Sequence, residues 1–356
     1  MFSHRPSKRR RNVVSKHLTQ LYLELSTHCT LSCRTCPRNA VIDFTPEHFP
    51  LHLADRLMES IAQIPTLERI VLLGYGEALC NPDVASLLTR LAGAEIPIVL
   101  VTNAQLVTPE LLDLFIELPL HSVYVSWDDL GQQKIIRVGS DRGRTVDVVA
   151  ELRNRRKNQH PIVGVEIVAL KSNQDVLPGI VSAARSAGAE HIMVTNVFPY
   201  NREMRTEILF SYKRRPETDL QLTLGWKPWL EIASQIITNE RACPFLERGT
   251  LFVTAVGDVV PCPELTHSHT AWYFNAERMH YRFILGNISQ RSLAEIWEDG
   301  VFDQFRSSFE YYEFPDCLQC SGTEMCLHRS SMNGDCFHNG APCGECLWAS
   351  GIIRCP

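Results

Sequence analysis

Short apolar runs alternate with longer amphipathic segments along about the first 200 residues of the chain. The runs are nearly continuous in apolar residues, which is typical of strands buried on both faces of a parallel sheet. Between them, apolar residues recur every three or four positions, as Leu53, Leu57 and Ile61 do, and this spacing predicts helices. The pattern predicts strands at residues 21–26, 69–74, 97–102, 122–126, 163–170 and 191–197, and helices at 51–64, 82–91, 109–118, 145–157 and 175–187.

This alternation predicts an α/β fold in which helices cover a parallel sheet. Six strand–helix units are fewer than the eight of a closed TIM barrel, so we expect a partial, TIM-like (β/α)6 barrel. The barrel is expected at residues 19–225, after a basic N-terminal arm at 1–18. A polar connector is predicted at 201–221, and a helix at 225–237 is predicted to lead into a second, cysteine-rich region at 226–356.

The cysteine-rich region begins with a predicted hairpin. Two apolar runs, at residues 250–255 and 259–261, flank the turn residues Val256, Gly257 and Asp258. A turn of this kind between two such runs is typical of antiparallel strands. A further apolar run follows at 284–288, and a helix is predicted to begin near Ser292.

Composition and charge argue against a nucleic-acid-binding, membrane-spanning or secreted protein. The 356 residues are 45% hydrophobic and 21% charged, as in ordinary globular proteins, and a net charge of −5 argues against binding to nucleic acid. The basic run at residues 8–11 is typical of a solvated tail. No apolar run approaches the roughly 20 residues of a membrane helix, and no secretion signal is present. Thirteen cysteines then indicate thiolate chemistry in a cytoplasmic, anaerobic protein, because an oxidising compartment would scramble them.

Three cysteines lie in the loop that follows the first predicted strand. Cys29, Cys33 and Cys36 are separated by three and then two residues. Three thiolates from one short loop can hold three irons of a [4Fe–4S] cluster and leave the fourth iron open to a small molecule. The alternatives are a zinc site or three reduced surface thiols. Zinc usually takes four ligands from paired CxxC motifs, so this spacing favours the cluster.

Polar residues follow the next strands at the edge where a parallel sheet places its chemistry. The second strand ends in Gly74-Tyr75-Gly76-Glu77, the third in Thr102-Asn103 and the fourth in Ser126-Trp127-Asp128-Asp129. Each motif alone is weak, because Gly-x-Gly is usually a turn and Ser or Asp after a strand often caps a helix. Their order along successive strands is the stronger signal.

With the cysteine loop, these motifs resemble the radical S-adenosylmethionine (SAM) superfamily over about residues 19–200. The resemblance implies an enzyme in which the open iron chelates the methionine part of SAM. It further implies that Gly76 and Glu77 bind the SAM amino group, and that Ser126 and Asp128 lie near its ribose and carboxylate. Asn103, at the end of the third strand, is assigned to the same cofactor site. Thr35 stands where this family usually has a bulky or aromatic residue near the adenine, and Tyr75 replaces a commoner glycine.

Nine of the thirteen cysteines lie between residues 243 and 355. The Cys243-x13-Gly257-x4-Cys262 and Cys317-x2-Cys320-x5-Cys326 spacings resemble the SPASM extension of radical SAM enzymes, which holds two auxiliary [4Fe–4S] clusters. The chain is thus expected to hold three clusters. The alternative from the spacing alone is a zinc ribbon of two CxxC pairs. The candidate auxiliary ligands are Cys243, Cys262, Cys317, Cys320, Cys326, Cys336, Cys343, Cys346 and Cys355.

The family's interleaved arrangement implies how these ligands are shared. It places Cys317, Cys320 and Cys326 with one late cysteine at one cluster, and Cys243, Cys262 and Cys336 with another late cysteine at the second. One cysteine among residues 343, 346 and 355 is then spare. Cys336 departs from the family because it follows Cys326 by ten residues instead of the usual four. Cys80, isolated in an apolar setting, is expected to be a buried structural thiol.

SPASM proteins mostly modify peptides or proteins. The motif Pro342-Cys343-Gly344-Glu345-Cys346 and the residues around Arg34 and Arg38 resemble a subgroup predicted to mature tungsten-containing oxidoreductases of the aldehyde ferredoxin oxidoreductase type. The target would be such a protein or its cofactor, and the electrons would come from a low-potential donor such as ferredoxin or flavodoxin. The alternatives are an anaerobic sulfatase-type or ribosomal-peptide maturase, a haem-biosynthesis SPASM enzyme, and a non-catalytic iron–sulfur electron carrier.

Overall fold

A ten-stranded sheet organises the computed structural model of this chain. The structure describes residues 11–42, 44–131, 135–212, 216–238, 240–274, 276–326, 328 and 334–356. Most of the basic run in the predicted arm therefore lies outside the described residues. The part of the arm that is described packs on the C-terminal region, where Asn12 donates hydrogen bonds to the carbonyl oxygens of Arg241 and Phe309 at 3.0 and 3.1 Å.

Six parallel strands follow one another in chain order and confirm the predicted α/β core. The third helix begins at Pro109, where the Thr108 side chain caps it by accepting a hydrogen bond from the Leu111 amide. The fifth helix ends at Gly188, which has φ of +116°. The strands are β1 (Gln20–Leu23), β2 (Arg69–Leu72), β3 (Ile98–Thr102), β4 (Leu120–Ser126), β5 (Ile162–Ala169) and β6 (His191–Asn196), and the helices are α1 (Leu51–Ile61), α2 (Val84–Ala92), α3 (Pro109–Glu117), α4 (Arg142–Arg155) and α5 (Leu177–Ala187).

Alternate residues of these strands belong to two different apolar clusters. Leu21 and Ile70, which pair across β1 and β2, pack in the large cluster with the helices. Their neighbours Tyr22 and Val71 pack in a second cluster on the other face of the sheet. Burial on both faces explains why the sequence runs are continuously apolar and not alternating.

The helix predicted at 225–237 is wrong. Within these residues, strand β7 (Leu230–Ile232) pairs in parallel with β6. Pro228 disfavours a continuous helix, because it lacks an amide hydrogen and clashes with the preceding turn. Two hydrogen bonds hold β7 against β6. The Ile192 amide donates to the Trp229 carbonyl and the Ala233 amide donates to the Val194 carbonyl, both at 2.8 Å. The predicted connector at 201–221 contains α6 (Arg202–Glu207) and the start of α7 (Leu220–Leu224).

The cysteine-rich region extends the same sheet from its other side. Strand β8 (Thr250–Val253) pairs in parallel with β1, and β9 (Asp258–Val260) returns antiparallel to β8, which confirms the predicted hairpin. Gly257 takes φ of +83° in its turn. The remaining elements are the hairpin strands β10 (His269–Tyr273) and β11 (Ala276–His280), strand β12 (Gly286–Asn287), and helices α8 (Pro244–Glu247), α9 (Leu293–Trp297) and α10 (Gly300–Ser307).

Residues 348–356 cross the inner face of the sheet. The Tyr22 hydroxyl donates to the main-chain oxygen of Pro356 at 3.2 Å. The Asn196 side chain donates to the Ile352 carbonyl at 2.7 Å, and the Arg354 amide donates to the Thr195 hydroxyl at 3.0 Å. This segment therefore joins the first and sixth strands. Among the described residues, none of the helices combines the length and apolar character needed to cross a bilayer.

Arg241 fastens the cysteine-rich region at its centre. The buried guanidinium donates to the carbonyl oxygens of Phe314, Pro315 and Gly344 at 3.0–3.1 Å and lies over the Tyr312 ring. Buried carbonyl oxygens that lose a charged hydrogen-bond donor lower the stability of the folded protein.

Replacing Arg241 by Met should therefore lower the free energy of unfolding by about 2–4 kcal/mol. The measurement is anaerobic thermal unfolding of the cluster-loaded protein, with a fall of several degrees expected in the midpoint. Arg90→Met is the matched control, because Arg90 forms only a surface ion pair with Asp55 and such pairs contribute little. Equal midpoints for the Arg241 and Arg90 variants would contradict this role for Arg241.

Candidate functional site

A cavity of about 230 Å³ lies at the carboxyl ends of β1 to β5. It is the place where the predicted site residues meet. The structure brings together Cys29, Cys33, Cys36, Gly76, Glu77, Asn103 and Ser126 along its wall. Of the residues predicted for this site, Asp128 alone does not line the cavity and lies fully buried behind it.

The three thiols of the first loop are held without a disulfide. Cys29 Sγ accepts weak hydrogen bonds from the Leu31 amide at 3.4 Å and the Asn103 side chain at 3.5 Å. Burial raises the pKa of Cys33 to about 11 and also raises that of Cys36. The three thiols lie on one short loop and line one cavity wall, so this donor set fits metal ligation.

The spacing of the sulfur atoms tests the zinc alternative. Four thiolates around one tetrahedral zinc, with bonds of about 2.3 Å, bring neighbouring sulfurs to roughly 3.8 Å. Across the described residues, which include all thirteen cysteines, no three sulfur atoms lie within 4.8 Å of one another. Among the described residues, no group of three sulfur atoms is therefore spaced as the ligands of a single zinc ion are.

Glycines let the second strand's motif pack directly against the cysteine loop. A Cβ atom on Gly76 would come within 2.3 Å of the Ser26 carbonyl oxygen, and one on Gly74 within 2.4 Å of the Glu24 side chain. The Glu77 amide donates to the His28 carbonyl at 2.7 Å. The close approach that requires glycine here is thus made by the protein's own backbone.

The Glu77 carboxylate joins three segments of the site. Oε1 accepts from the Thr102 hydroxyl at 2.8 Å and the Leu79 amide at 3.2 Å, and Oε2 accepts from the Asn103 amide at 2.7 Å. Only 3% of Glu77 is exposed, and this burial raises its pKa. Glu77 caps a short 3-10 helix at residues 78–80, not the helix α2. Oε2 accepts one of these bonds and keeps a free lone pair for a further donor.

Arg137 is a site residue that the sequence did not reveal. Its guanidinium lines the cavity, and its Nε lies 2.8 Å from Oδ2 of the buried Asp128. The other Asp128 oxygen accepts from the Val168 amide at 2.7 Å. Asp128 therefore positions Arg137 and does not face the cavity itself. Arg137 lies between hydrophobic neighbours in an irregular loop, where no motif marks it.

Glu166 is a second residue that the sequence did not reveal. It lies on β5 opposite Ser126 of β4 and lines the same cavity. Burial raises its pKa to about 7, against the opposing effect of the nearby Arg137. The cavity thus contains a carboxyl group that changes charge near neutral pH. In the sequence, Glu166 is a single polar residue within an apolar strand.

The auxiliary cysteines form two groups and leave one apart. Cys243 packs with Cys343 and Cys346 against the large apolar cluster and with Cys262 against the second one, and burial with these neighbouring thiols raises the pKa of Cys343 well above its ordinary value. We call these four cysteines the first auxiliary group. The second auxiliary group lines a cavity of about 580 Å³ and consists of Cys317, Cys320, Cys326 and Cys336.

The placement of these thiols differs from the interleaved arrangement implied by the family, and we take it as the basis of our proposal. Cys336 lies with the C-x2-C-x5-C run, and the two cysteines of the last CxxC pair both lie in the first auxiliary group. Cys355 does not line the cavity of the second auxiliary group; it packs against the same apolar cluster as Cys243 and Cys262, and its sulfur accepts from the Trp348 indole at 3.4 Å.

The two CxxC pairs of the zinc-ribbon alternative lie side by side, since a Cβ atom on Gly344 would come within 3.0 Å of Cys317 Sγ, but we assign them to different groups. Cys80 is half-buried, and burial raises its pKa to about 11.

Two family models match this chain. The radical SAM superfamily model matches residues 23–182, and the SPASM model, an iron–sulfur cluster-binding domain, matches residues 243–321. The first range contains the last residue of β1, strands β2 to β5 and the cavity, and the second contains the hairpin β8–β9 and part of both auxiliary groups.

Two curated relatives extend the likeness over most of the chain. A tungsten-containing aldehyde ferredoxin oxidoreductase cofactor-modifying protein of Pyrococcus furiosus is 27% identical over 345 residues, which are 94% of this chain and 96% of the relative. An AdoMet-dependent heme synthase of Methanosarcina barkeri is 23% identical over 313 residues, which are 81% and 84% of the two chains.

Solved structures share the fold. Streptococcus suis SuiB bound to S-adenosylmethionine superposes with a TM-score of 0.61 at 15% identity, covering 94% of this chain and 78% of that one. Native anSMEcpe with bound AdoMet gives a TM-score of 0.57 at 15% identity, covering 86% of this chain and 88% of that one. At this identity the likeness concerns the fold alone.

Proposed function

The chain is an enzyme of the radical SAM superfamily with a SPASM domain in its C-terminal half, and we propose that it uses SAM to mature a tungsten-containing oxidoreductase or its cofactor. These domains imply iron–sulfur clusters and SAM as cofactors. One observation carries the proposal: the three loop cysteines share a cavity with Gly76, Glu77, Asn103 and Ser126 at the carboxyl edge of the sheet.

The first loop provides the ligands of the reactive cluster. Cys29, Cys33 and Cys36 would hold three irons and leave the fourth for SAM. When bound there, cluster and SAM supply a one-electron cleavage of the sulfonium to methionine and a 5′-deoxyadenosyl radical. All three thiols line the cavity wall, with Cys33 buried and Cys29 and Cys36 partly exposed.

Charged side chains of the cavity orient the methionine part of SAM. The free lone pair of Glu77 Oε2 can accept a hydrogen bond from the SAM ammonium. Arg137, held by Asp128, supplies a cation for the SAM carboxylate, near which the family resemblance places the Asp128 segment. Ser126 and Glu166 face each other across β4 and β5 and can bind the ribose hydroxyls.

The proposed substrate is inferred from one of the curated relatives. The tungsten-oxidoreductase cofactor-modifying protein matches this chain over nearly the full length of both. A tungsten enzyme or its cofactor is therefore the proposed substrate, and ferredoxin or flavodoxin the proposed electron donor, in an anaerobic cytoplasm. The heme synthase relative favours haem biosynthesis as the second candidate, at lower identity and coverage.

Replacing Cys29, Cys33 and Cys36 by Ala together should abolish 5′-deoxyadenosine formation from SAM, because the iron that binds SAM loses all its protein ligands. The assay is anaerobic turnover of SAM by the reconstituted protein with dithionite. Cys80→Ala is the matched control and should retain activity, since Cys80 does not line the cavity. The electron paramagnetic resonance signals of the auxiliary clusters should persist in the triple variant. Deoxyadenosine formation by that variant would place the reactive cluster elsewhere.

Glu77→Gln should weaken SAM binding by about ten- to a hundredfold, because it removes the charge from a contact worth roughly 1.5–3 kcal/mol. Isothermal titration with SAM, at equal cluster content, gives the dissociation constants. Thr102→Val is the control, because it removes one hydrogen bond to Glu77 and keeps the carboxylate. It should change SAM affinity much less than Glu77→Gln does. If Glu77 is only structural, its variant will lose thermal stability while its SAM dissociation constant stays that of wild type.

The cysteine groups predict the iron content. We propose three [4Fe–4S] clusters, so the reconstituted protein should contain about twelve irons and twelve sulfides. Cys320→Ala with Cys326→Ala should lower this to about eight by removing the cluster of the second auxiliary group. Cys355→Ala should leave it at twelve, because Cys355 is outside both groups. Anaerobic iron and sulfide analysis decides, and an iron loss in the Cys355 variant would overturn the assignment.

A further inference from the structure

Three buried side chains converge between the SAM cavity and the auxiliary cysteines. Glu264, His269 and His280 place one carboxylate oxygen and two imidazole nitrogens within 4.8 Å of one another. These residues are 6%, 0% and 2% exposed, respectively. The proposed radical chemistry assigns no role to this cluster, which we call the histidine–glutamate trio.

The fold builds the trio from two adjacent elements. His269 on β10 and His280 on β11 are direct partners across the hairpin, which brings their side chains to the same face. Glu264 lies in the short 3-10 helix at residues 263–265, which follows Cys262 of the first auxiliary group. All three side chains are therefore held by hydrogen-bonded backbone.

Hydrogen bonding of His269 fixes which of its nitrogens is free. Its Nδ1 lies 2.8 Å from the His267 carbonyl oxygen, which can only accept, so Nδ1 carries the hydrogen. In a neutral imidazole, Nε2 then holds a lone pair, and this atom lies 3.3 Å from Glu264 Oε1. Two acceptors at that distance repel each other unless a proton or a metal ion lies between them.

His280 directs a second nitrogen at the same oxygen. Its Nδ1 lies 2.5 Å from Glu264 Oε1. Its Nε2 has no hydrogen-bond partner among the described residues, although the Glu345 carboxylate lies 3.8 Å away and is itself paired with Arg278 at 2.7 Å. A histidine whose second nitrogen faces a carbonyl or carboxylate is the usual arrangement at metal sites.

We propose that Glu264, His269 and His280 bind one zinc ion through a carboxylate oxygen, Nε2 and Nδ1. Two imidazoles and one carboxylate are a known zinc donor set. Bonds of about 2.0–2.1 Å at a tetrahedral angle separate two ligand atoms by roughly 3.3 Å, as His269 Nε2 and Glu264 Oε1 already are. His280 Nδ1, now 2.5 Å from Oε1, has to move back by about 0.8 Å to admit the ion. A cation at this point relieves the facing acceptors without requiring both buried imidazoles to be protonated.

The ion would pin the β10–β11 hairpin beside the SAM cavity. Tyr75 of the Gly-Tyr-Gly-Glu motif packs on this region, with ring centroids 4.7 Å from His267 and 6.3 Å from His269. Tyr75, which replaces the family's commoner glycine, thus connects the proposed zinc site to the residues that bind SAM. The same trio without metal would be bridged by protons, and the experiment separates the two cases.

The test uses full-length protein with its clusters reconstituted, then supplied with zinc and freed of loose metal by a weak chelator. Zinc analysis should give about one zinc per chain. Zinc K-edge absorption should show only nitrogen and oxygen ligands near 2.0–2.1 Å, without the sulfur at about 2.3 Å that zinc in a cysteine site would have. His269→Asn should lose this zinc. The matched control His267→Asn should keep it, because His267 contacts the trio through its main-chain carbonyl while its imidazole lies beside Glu24 and Tyr75.

Wild-type protein alone can overturn the proposal, even if a variant fails to fold. A zinc content near zero at full cluster loading would show that protons, not a metal, bridge the trio. Zinc bound only by sulfur would place it at the cysteines. Either result would leave SAM cleavage intact, so the failure of this inference is distinguishable from failure of the proposed function.

Discussion

The buried carboxylate of Glu24, directly after β1, ties the parts of this structure together. Glu24 is fully buried, and Oε1 accepts from the Tyr75 amide at 2.7 Å. Oε2 accepts from the Ala255 amide at 3.3 Å and lies 3.4 Å from His267. One side chain therefore joins the end of β1 to the glycine motif after β2, the hairpin turn after β8 and the segment before β10. A buried carboxylate is stable only with such partners, so the cysteine loop and the cysteine-rich region are positioned together.

Electrostatics within the cavity follow from the same burial. Asp128 and Arg137 form a buried pair whose guanidinium faces the cavity, and Glu166 lies close enough for Arg137 to oppose the rise in its pKa. In an interior of low dielectric constant these charges act strongly on one another and on any charged ligand. The two auxiliary groups are also neighbours, because the Cys317 amide donates to the Gly344 carbonyl at 3.1 Å between the two cysteines of the last CxxC pair.

The sequence was most informative where local pattern and tertiary position agree. The core strands are apolar on both faces and the first four end in polar motifs, so the six-strand core and the gathering of Cys29, Glu77 and Ser126 could be predicted. The strand within residues 225–237 could not be predicted, because it forms by pairing with the edge strand β6. The grouping of the late cysteines depends on chain paths that spacing does not encode. Arg137 and Glu166 are single residues in a loop and a strand, and only the folded chain shows that they share a cavity.

The pairing of β1 with β8 delays completion of the sheet during synthesis on the ribosome. Gln20 pairs with Thr250, so one edge of a fully buried strand waits about 230 residues for its partner. At about 5–20 residues per second, that wait lasts roughly 10 to 50 s. Throughout it, an apolar strand edge next to three reactive thiols is open to pairing with other nascent chains. Slow translation or low chaperone capacity would therefore deplete this protein by aggregation before any cluster is loaded.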